Sequence, residues 1–193
     1  MTNTPDRLYQ ILSSERFLSM QGLANEVPIF IHAYDVEEED RMSSMIKSLG
    51  SRLRNAGVQT AEVDLFKLLL AELKEEGLLD DFIEGETTFD RKDLLGDLKN
   101  FASPARLVPR LVTIMEKEAA RVTLLSGVGH VFPFLRAHTL LDSIQPAMMR
   151  HPVVLFFPGE YIQVPDKGSQ LRLFFTLPGE GYYRAFNLEH YRL

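Results

Sequence analysis

Four apolar runs, each bounded by turn residues and most followed by a helical pattern, restrict this chain to an α/β arrangement. The runs are 27–34, 58–65, 121–126 and 152–157. The first has little polar interruption, as in strands covered on both faces. Pro28 fits only near its start, because proline cannot donate to a strand ladder. Asp35 closes this run, and the acidic stretch from Glu37 to Asp40 opens a helix where negative charge meets the positive end of the helix dipole. That helix is expected to reach about Asn55 and to stop at Gly57. The second run merges into a helix over 66–77. Strand, helix, strand, helix is the pattern of a parallel sheet. The fourth run is the most apolar and is expected at the centre of the sheet. Before all of these, Leu8, Ile11, Leu12 and Phe17 give a helical spacing within 5–20.

The rest is punctuated less sharply. Breaks at Glu84-Gly85 and Ser103-Pro104, with a helix over 90–101, suggest a helical insertion at 78–120 on the edge of the sheet, within a single domain spanning 1–193. A helix is expected from about Phe134 to Ile144, ending before Pro146. After the fourth run, Pro158 and Gly159 are expected to turn the chain, with another turn at 165–169. Segments 171–177 and 182–186 then form a closing hairpin around a glycine-rich link. The expected fold class is α/β, with a mixed, mainly parallel sheet, flanking helices and one antiparallel edge. Its topology is expected to be a degenerate nucleotide-binding-like one, Rossmann-like or P-loop-like.

Composition removes several functions. The chain has 21 basic and 27 acidic residues, a net charge of −6, which opposes independent nonspecific DNA binding. There is no cysteine, so disulfides, thiolate catalysis and cysteine-based zinc sites are excluded. The first ten residues contain no signal-peptide core, and no apolar run reaches the roughly 18 residues of a membrane helix. No membrane partner is expected.

The segment 121–138 reads as strand, glycine-marked turn and helix start, an architecture that holds ligands in many parallel sheets. Gly127 and Gly129 allow a tight backbone, nearby N–H groups could hold an anion, and Arg136 and His138 could add positive charge. The same residues suit an ordinary tight turn with Arg and His in solvent. No Lys-Ser or Lys-Thr follows the glycines, so nothing is set to bind terminal phosphates with Mg²⁺. His32, Asp35, Glu62, Asp64 and His130 lie near strand ends and could converge on a divalent ion, but their spacing matches no metal motif. Capping and solvent exposure explain them equally. No G-x-S-x-G elbow or spaced Ser/His/Asp set is present. No catalytic residue, metal site or cofactor is assigned. Glu160 and Tyr161 are expected at the rim beyond the fourth strand, where Tyr and charged residues suit a protein partner. Arg184, within the final segment, suits pairing with a strand-end carboxylate or an anion, and equally a solvated edge.

Four blocks carry a wider resemblance: FLSMQGLANEVPIFIHAYD at 17–35, LLSGVGHVFPFLRAH at 124–138, VVLFFPGEY at 153–161 and YYRAFN at 182–187. Together they resemble the BrxB family of BREX bacteriophage-exclusion systems, over about residues 8–186. The resemblance implies a cytoplasmic role in antiviral defence beside an ATPase, a PglZ-like protein and a methyltransferase, with DNA reached indirectly through the complex. It supplies no reaction for named residues. The expected function is therefore a noncatalytic assembly or regulatory subunit, with Arg136, His138, Glu160, Tyr161 and Arg184 as contact residues. The alternative is a nucleotide or anion sensor, or a cryptic enzyme, using the 127–138 loop with Asp35 or Asp64 as metal ligand or base. A DNA-binding accessory role is a weaker alternative.

Overall fold

The structure is a computed structural model that describes residues 4–21, 27–144, 150–164, 168–177, 179 and 185–193. The chain opens with α1 (Thr4–Leu12) and α2 (Glu15–Leu18), then β1 (Ile29–Tyr34), a 3-10 turn at Val36–Glu38 and α3 (Glu39–Asn55). Next come β2 (Thr60–Asp64) and four helices, α4 (Leu65–Glu75), α5 (Leu79–Gly85), α6 (Arg91–Phe101) and α7 (Pro104–Lys117). The second half contains β3 (Val122–Ser126), α8 (Val128–Val131), α9 (Ala137–Ile144), β4 (Val153–Val164), β5 (Gly168–Leu173) and β6 (Phe186–Asn187). The expected single N-terminal helix is two pieces, because the Ser14 side chain accepts the Phe17 N–H and starts a new helix.

The fold is α/β, with a mostly parallel sheet flanked by helices. Strands run in the order β2-β3-β4-β1-β6, all parallel. Side chains alternate between faces along each strand. Ile29 and Ile31 of β1 join Val153, Leu155 and Phe157 of β4 in a core covered by α4, α7, α8 and α9. Phe30 and Tyr34 join Val154 and Phe156 in a second core, covered by α1, α2 and α3. Residues 153–157 are at most 1% exposed, as expected of the central strand.

Three features depart from the sequence reading. First, Pro158 and Gly159 do not turn the chain. β4 pairs with β1 as far as Pro158, opposite Tyr34, and continues from Gly159, opposite Leu173, into an antiparallel pairing with β5. Gly159 has φ +149°, and a Cβ there would lie 2.2 Å from the Arg172 carbonyl oxygen, so only glycine fits this passage. Second, among the described residues β5 does not pair with β6, and residues 182–184 of the expected closing segment lie outside the described residues. The hairpin is β4–β5, and β6 lies parallel to β1. The run at 171–177 leaves the strand at Phe174 and Phe175, which take φ +55° and +60°. The antiparallel part therefore extends from the carboxyl end of the central strand and does not form an edge. Third, a short helix that the sequence reading did not anticipate, α8, precedes the helix expected from about Phe134, which begins at Ala137 and ends at Ile144.

Between β2 and β3, α7 brings Leu107, Leu111 and Met115 into the first core, whereas α6 buries no residue fully. A buried carboxylate locks α7 to α4. Glu72, 5% exposed, accepts a hydrogen bond of 2.7 Å from Arg106 Nε and pairs with Arg110, and both arginines continue outward to Glu76 and Glu75. Replacing Arg106 and Arg110 together by Met strands this carboxylate. Stability should fall, since a carboxylate that is 5% exposed then has neither of its cationic partners. Adding Glu72→Met should restore most of it in urea denaturation.

His32 lies in the second core, with its ring edge-on to Phe156, and lines a cavity of about 120 Å³ beside Arg7. Burial, helped by the Arg7 charge, lowers its pKa from 6.5 to about 4. Between those values the unfolded chain takes up a proton that the folded chain resists. Stability present above pH 6.5 should fall by roughly 3 kcal/mol as pH drops to about 4. Urea titrations across this window should show a shallower slope for His32→Gln.

Candidate functional site at the carboxyl rim

The chain leaves β1 toward α3 on one face of the sheet and leaves β3 toward α8 on the other. The carboxyl ends of these strands flank β4, the kind of switch point where parallel sheets hold ligands. One bridge spans it. The Tyr34 hydroxyl donates to Glu39 Oε2 at 2.6 Å, and Glu39 Oε1 lies 3.6 Å from His130 Nδ1. Burial pushes the Tyr34 phenol well above its ordinary range, reinforced by the hydrogen bond to Glu39 and by the charges of Glu39 and Asp64. Tyr34 thus remains a donor and is not an ionised nucleophile.

Both glycines of the loop are accounted for by neighbouring protein atoms. Gly127 has φ +78°, and a Cβ there would lie 2.4 Å from Asp64 Oδ1. That oxygen accepts the N–H groups of Phe66 at 3.0 Å and Lys67 at 3.1 Å, capping α4. At Gly129, a Cβ would meet Pro158 at 3.0 Å and the Phe174 ring at 3.1 Å. The turn after β1 is also anionic: Asp35 accepts the Glu37 N–H at 3.1 Å, and Glu37, Glu38, Glu39 and Asp40 follow. A phosphate at this helix start would face carboxylates where such sites usually offer only N–H groups.

The other sequence-derived residues are more scattered. Arg136 is exposed just before α9, and His138 is half-buried in its first turn. Glu160 accepts a hydrogen bond of 2.6 Å from Arg172, its cross-strand partner on β5. The Tyr161 hydroxyl donates to the Ala185 carbonyl, and its ring packs on the first core. Arg184 lies outside the described residues. The strand-end polar set does not converge: His32 is in the core, Glu62 pairs with Arg54, and Asp35 and Asp64 are caps. Among the described residues, no group of three or more His, Cys, Asp or Glu side chains is arranged to hold a metal ion.

One concavity escaped the sequence reading. A groove of about 320 Å³ follows the edge strand β2, with Lys47 of α3 and Lys67 of α4 among its lining, beside Glu62, Asp64 and Ser126. Twenty residues separate the two lysines, so only the packing of two helices against one strand brings them together.

A profile described as "BREX protein BrxB" matches residues 61–188. The "BREX protein BrxB" of Bacillus cereus (strain H3081.97) is 32% identical over 195 residues, covering 97% of this chain and 98% of that protein. The chain belongs to the BrxB family of the BREX phage-exclusion system. A second BREX protein BrxB, from Escherichia coli O9:H4 (strain HS), is 26% identical over 185 residues, covering 94% of this chain and 90% of its own length. No solved structure matches. The BrxB profile includes Asp64, the Gly127 loop and the β4–β5 ribbon, while Tyr34 and Glu39 precede it. Among the described residues, no helix is long and apolar enough to cross a membrane.

The seating of Asp64 against Gly127 can be tested for coupling. Gly127→Ala combines a disfavoured φ with eviction of the cap and should cost about 2 kcal/mol. Asp64→Ala should cost about 1 kcal/mol. In chemical denaturation the double variant should lose less than the sum, because the alanine at 127 then meets no carboxylate.

Proposed function

We propose that this BrxB-family chain is a noncatalytic assembly or regulatory subunit of a BREX complex in the cytoplasm, working with the ATPase, PglZ-like and methyltransferase components and reaching DNA through them. The observation that carries this reading is the Asp64 carboxylate lying against Gly127, in the space a loop anion would need. The parallel order β2-β3-β4-β1-β6 supports a nucleotide-binding-like sheet whose phosphate positions have been given over to packing and capping. Fold likeness alone would not assign a function. Contacts with the partners are assigned to Arg136 and His138 at the start of α9, to Glu160 and Tyr161 on the β4–β5 ribbon, and to Arg184, here together called the rim residues.

Affinity purification from cells carrying the neighbouring genes should recover at least one component in stoichiometric amount. Alanine at the five rim positions should cut that recovery about tenfold or more while leaving far-UV circular dichroism intact. Recovery of the chain alone overturns the subunit role, and normal recovery by all five variants overturns the rim as its surface.

A second reading, an anion or nucleotide sensor, is favoured by Lys47 and Lys67 in the groove beside β2, whose volume reaches the lower end of the range for small-molecule sites, about 300–1,000 Å³. Calorimetric titration with ATP, GTP and S-adenosylmethionine, with and without Mg²⁺, tests it, and silence at millimolar ligand removes these ligands. A salt-dependent mobility shift tests direct DNA binding, which the net charge of −6 opposes.

A further inference from the structure

The helices α5 and α6 form the least integrated part of the chain. α6 buries no residue fully, and α5 buries only Gly85. Two large apolar side chains stand in solvent here, Ile83 at 62% and Phe89 at 51% exposure. They are held in position. The Phe89 N–H donates to the Gly85 carbonyl at 2.8 Å, and its ring lies against Gly85, where a Cβ would be 2.2 Å from Phe89 Cε2. The neighbouring Phe82 turns inward and meets Phe101 edge-on at 6.0 Å, leaving Ile83 on the outer side of α5.

The charge around these two residues is one-sided. Residues 79–101 contain seven carboxylates and three bases, so −4 of the chain's −6 resides here. Asp80 and Glu86 lie three residues before and after Ile83, neighbouring positions on a helical surface. Among the described residues, none of the seven carboxylates enters an ion pair, whereas Glu72, Glu75 and Glu76 on the adjacent α4 are all paired with arginine. Like charge disfavours a second copy of this surface and a nucleic acid alike. Apolar anchors inside an acidic rim match the reverse pattern on a partner.

We propose that the α5–α6 hairpin is a docking knob for a protein partner that offers an apolar pocket to Ile83 and Phe89, rimmed by lysine and arginine. The inference rests on the subunit reading and assigns it a second surface, separate from the rim residues. The test uses the tagged full chain co-expressed with the components of its BREX system. One variant carries Ile83→Ser with Phe89→Ser. The other carries Asp80→Lys with Glu86→Lys, which alters no packed side chain. Each should lose one component by about tenfold or more while the thermal melt stays unchanged, and native capture of that component should weaken as NaCl is raised. Unchanged capture of every component by both variants overturns the knob alone. A concentration-dependent dimer of the native chain that both variants disperse overturns the assigned partner. Capture of no component by the native chain overturns the knob together with the subunit reading.

Discussion

Burial of β4 on both faces organises everything else in this chain. Residues 153–157 contact both cores at once, and neighbouring strands align on this segment, β3 on one side and β1 on the other. A Phe or Leu withdrawn from water in this way contributes about 1.5–3 kcal/mol. Five consecutive residues of that kind therefore fix the register of the adjoining strands, since a shift by one residue would send each side chain to the wrong core. The carboxyl rim inherits its geometry from that register: Tyr34 ends opposite Pro158, and the Gly129 turn packs against Pro158 from the other side.

The parallel centre was legible because burial on both faces leaves uninterrupted apolar runs, and 152–157 is the purest of them. Helices α3 and α4 were legible through their caps and closing glycines. The β4–β5 ribbon was not. A Pro-Gly pair signals a turn in most contexts, yet here Pro158 completes a parallel ladder and Gly159 takes a backbone angle that begins an antiparallel one. Nothing local separates these outcomes, because the difference lies in β5, whose Arg172 carbonyl fills the space beside Gly159. The extent of α7 was hidden for a related reason. Pro109 lies inside it, and proline normally argues against a helix interior. The three core residues that hold α7 in place recur at a helical interval that becomes visible only once they are seen to be buried.

At the candidate site, residue types were legible and their partners were not. Sequence marks Gly127 as a position needing unusual backbone or close approach, and it has both. It cannot say whether the approaching group is a ligand or a side chain from 63 residues earlier, and the approaching group is Asp64. In the same way, Tyr34, Glu39 and His130 are each ordinary in sequence and become a bridge only because α3 and α8 leave the sheet on opposite faces. The acidic turn after β1 was noticed as a helix start. Its meaning for anions depends on its position at the rim, which topology alone supplies.

The continuity of β4 also has a mechanical meaning. Its first half is buried on both faces of the sheet and its second half is one arm of the β4–β5 ribbon, with no loop between them to absorb movement. A pull or twist applied at Glu160 or Tyr161 is transmitted along a single extended backbone into the middle of the sheet, where close packing resists deformation. The ribbon therefore acts as a stiff handle on the whole core, with Gly159 packed closely between its two halves.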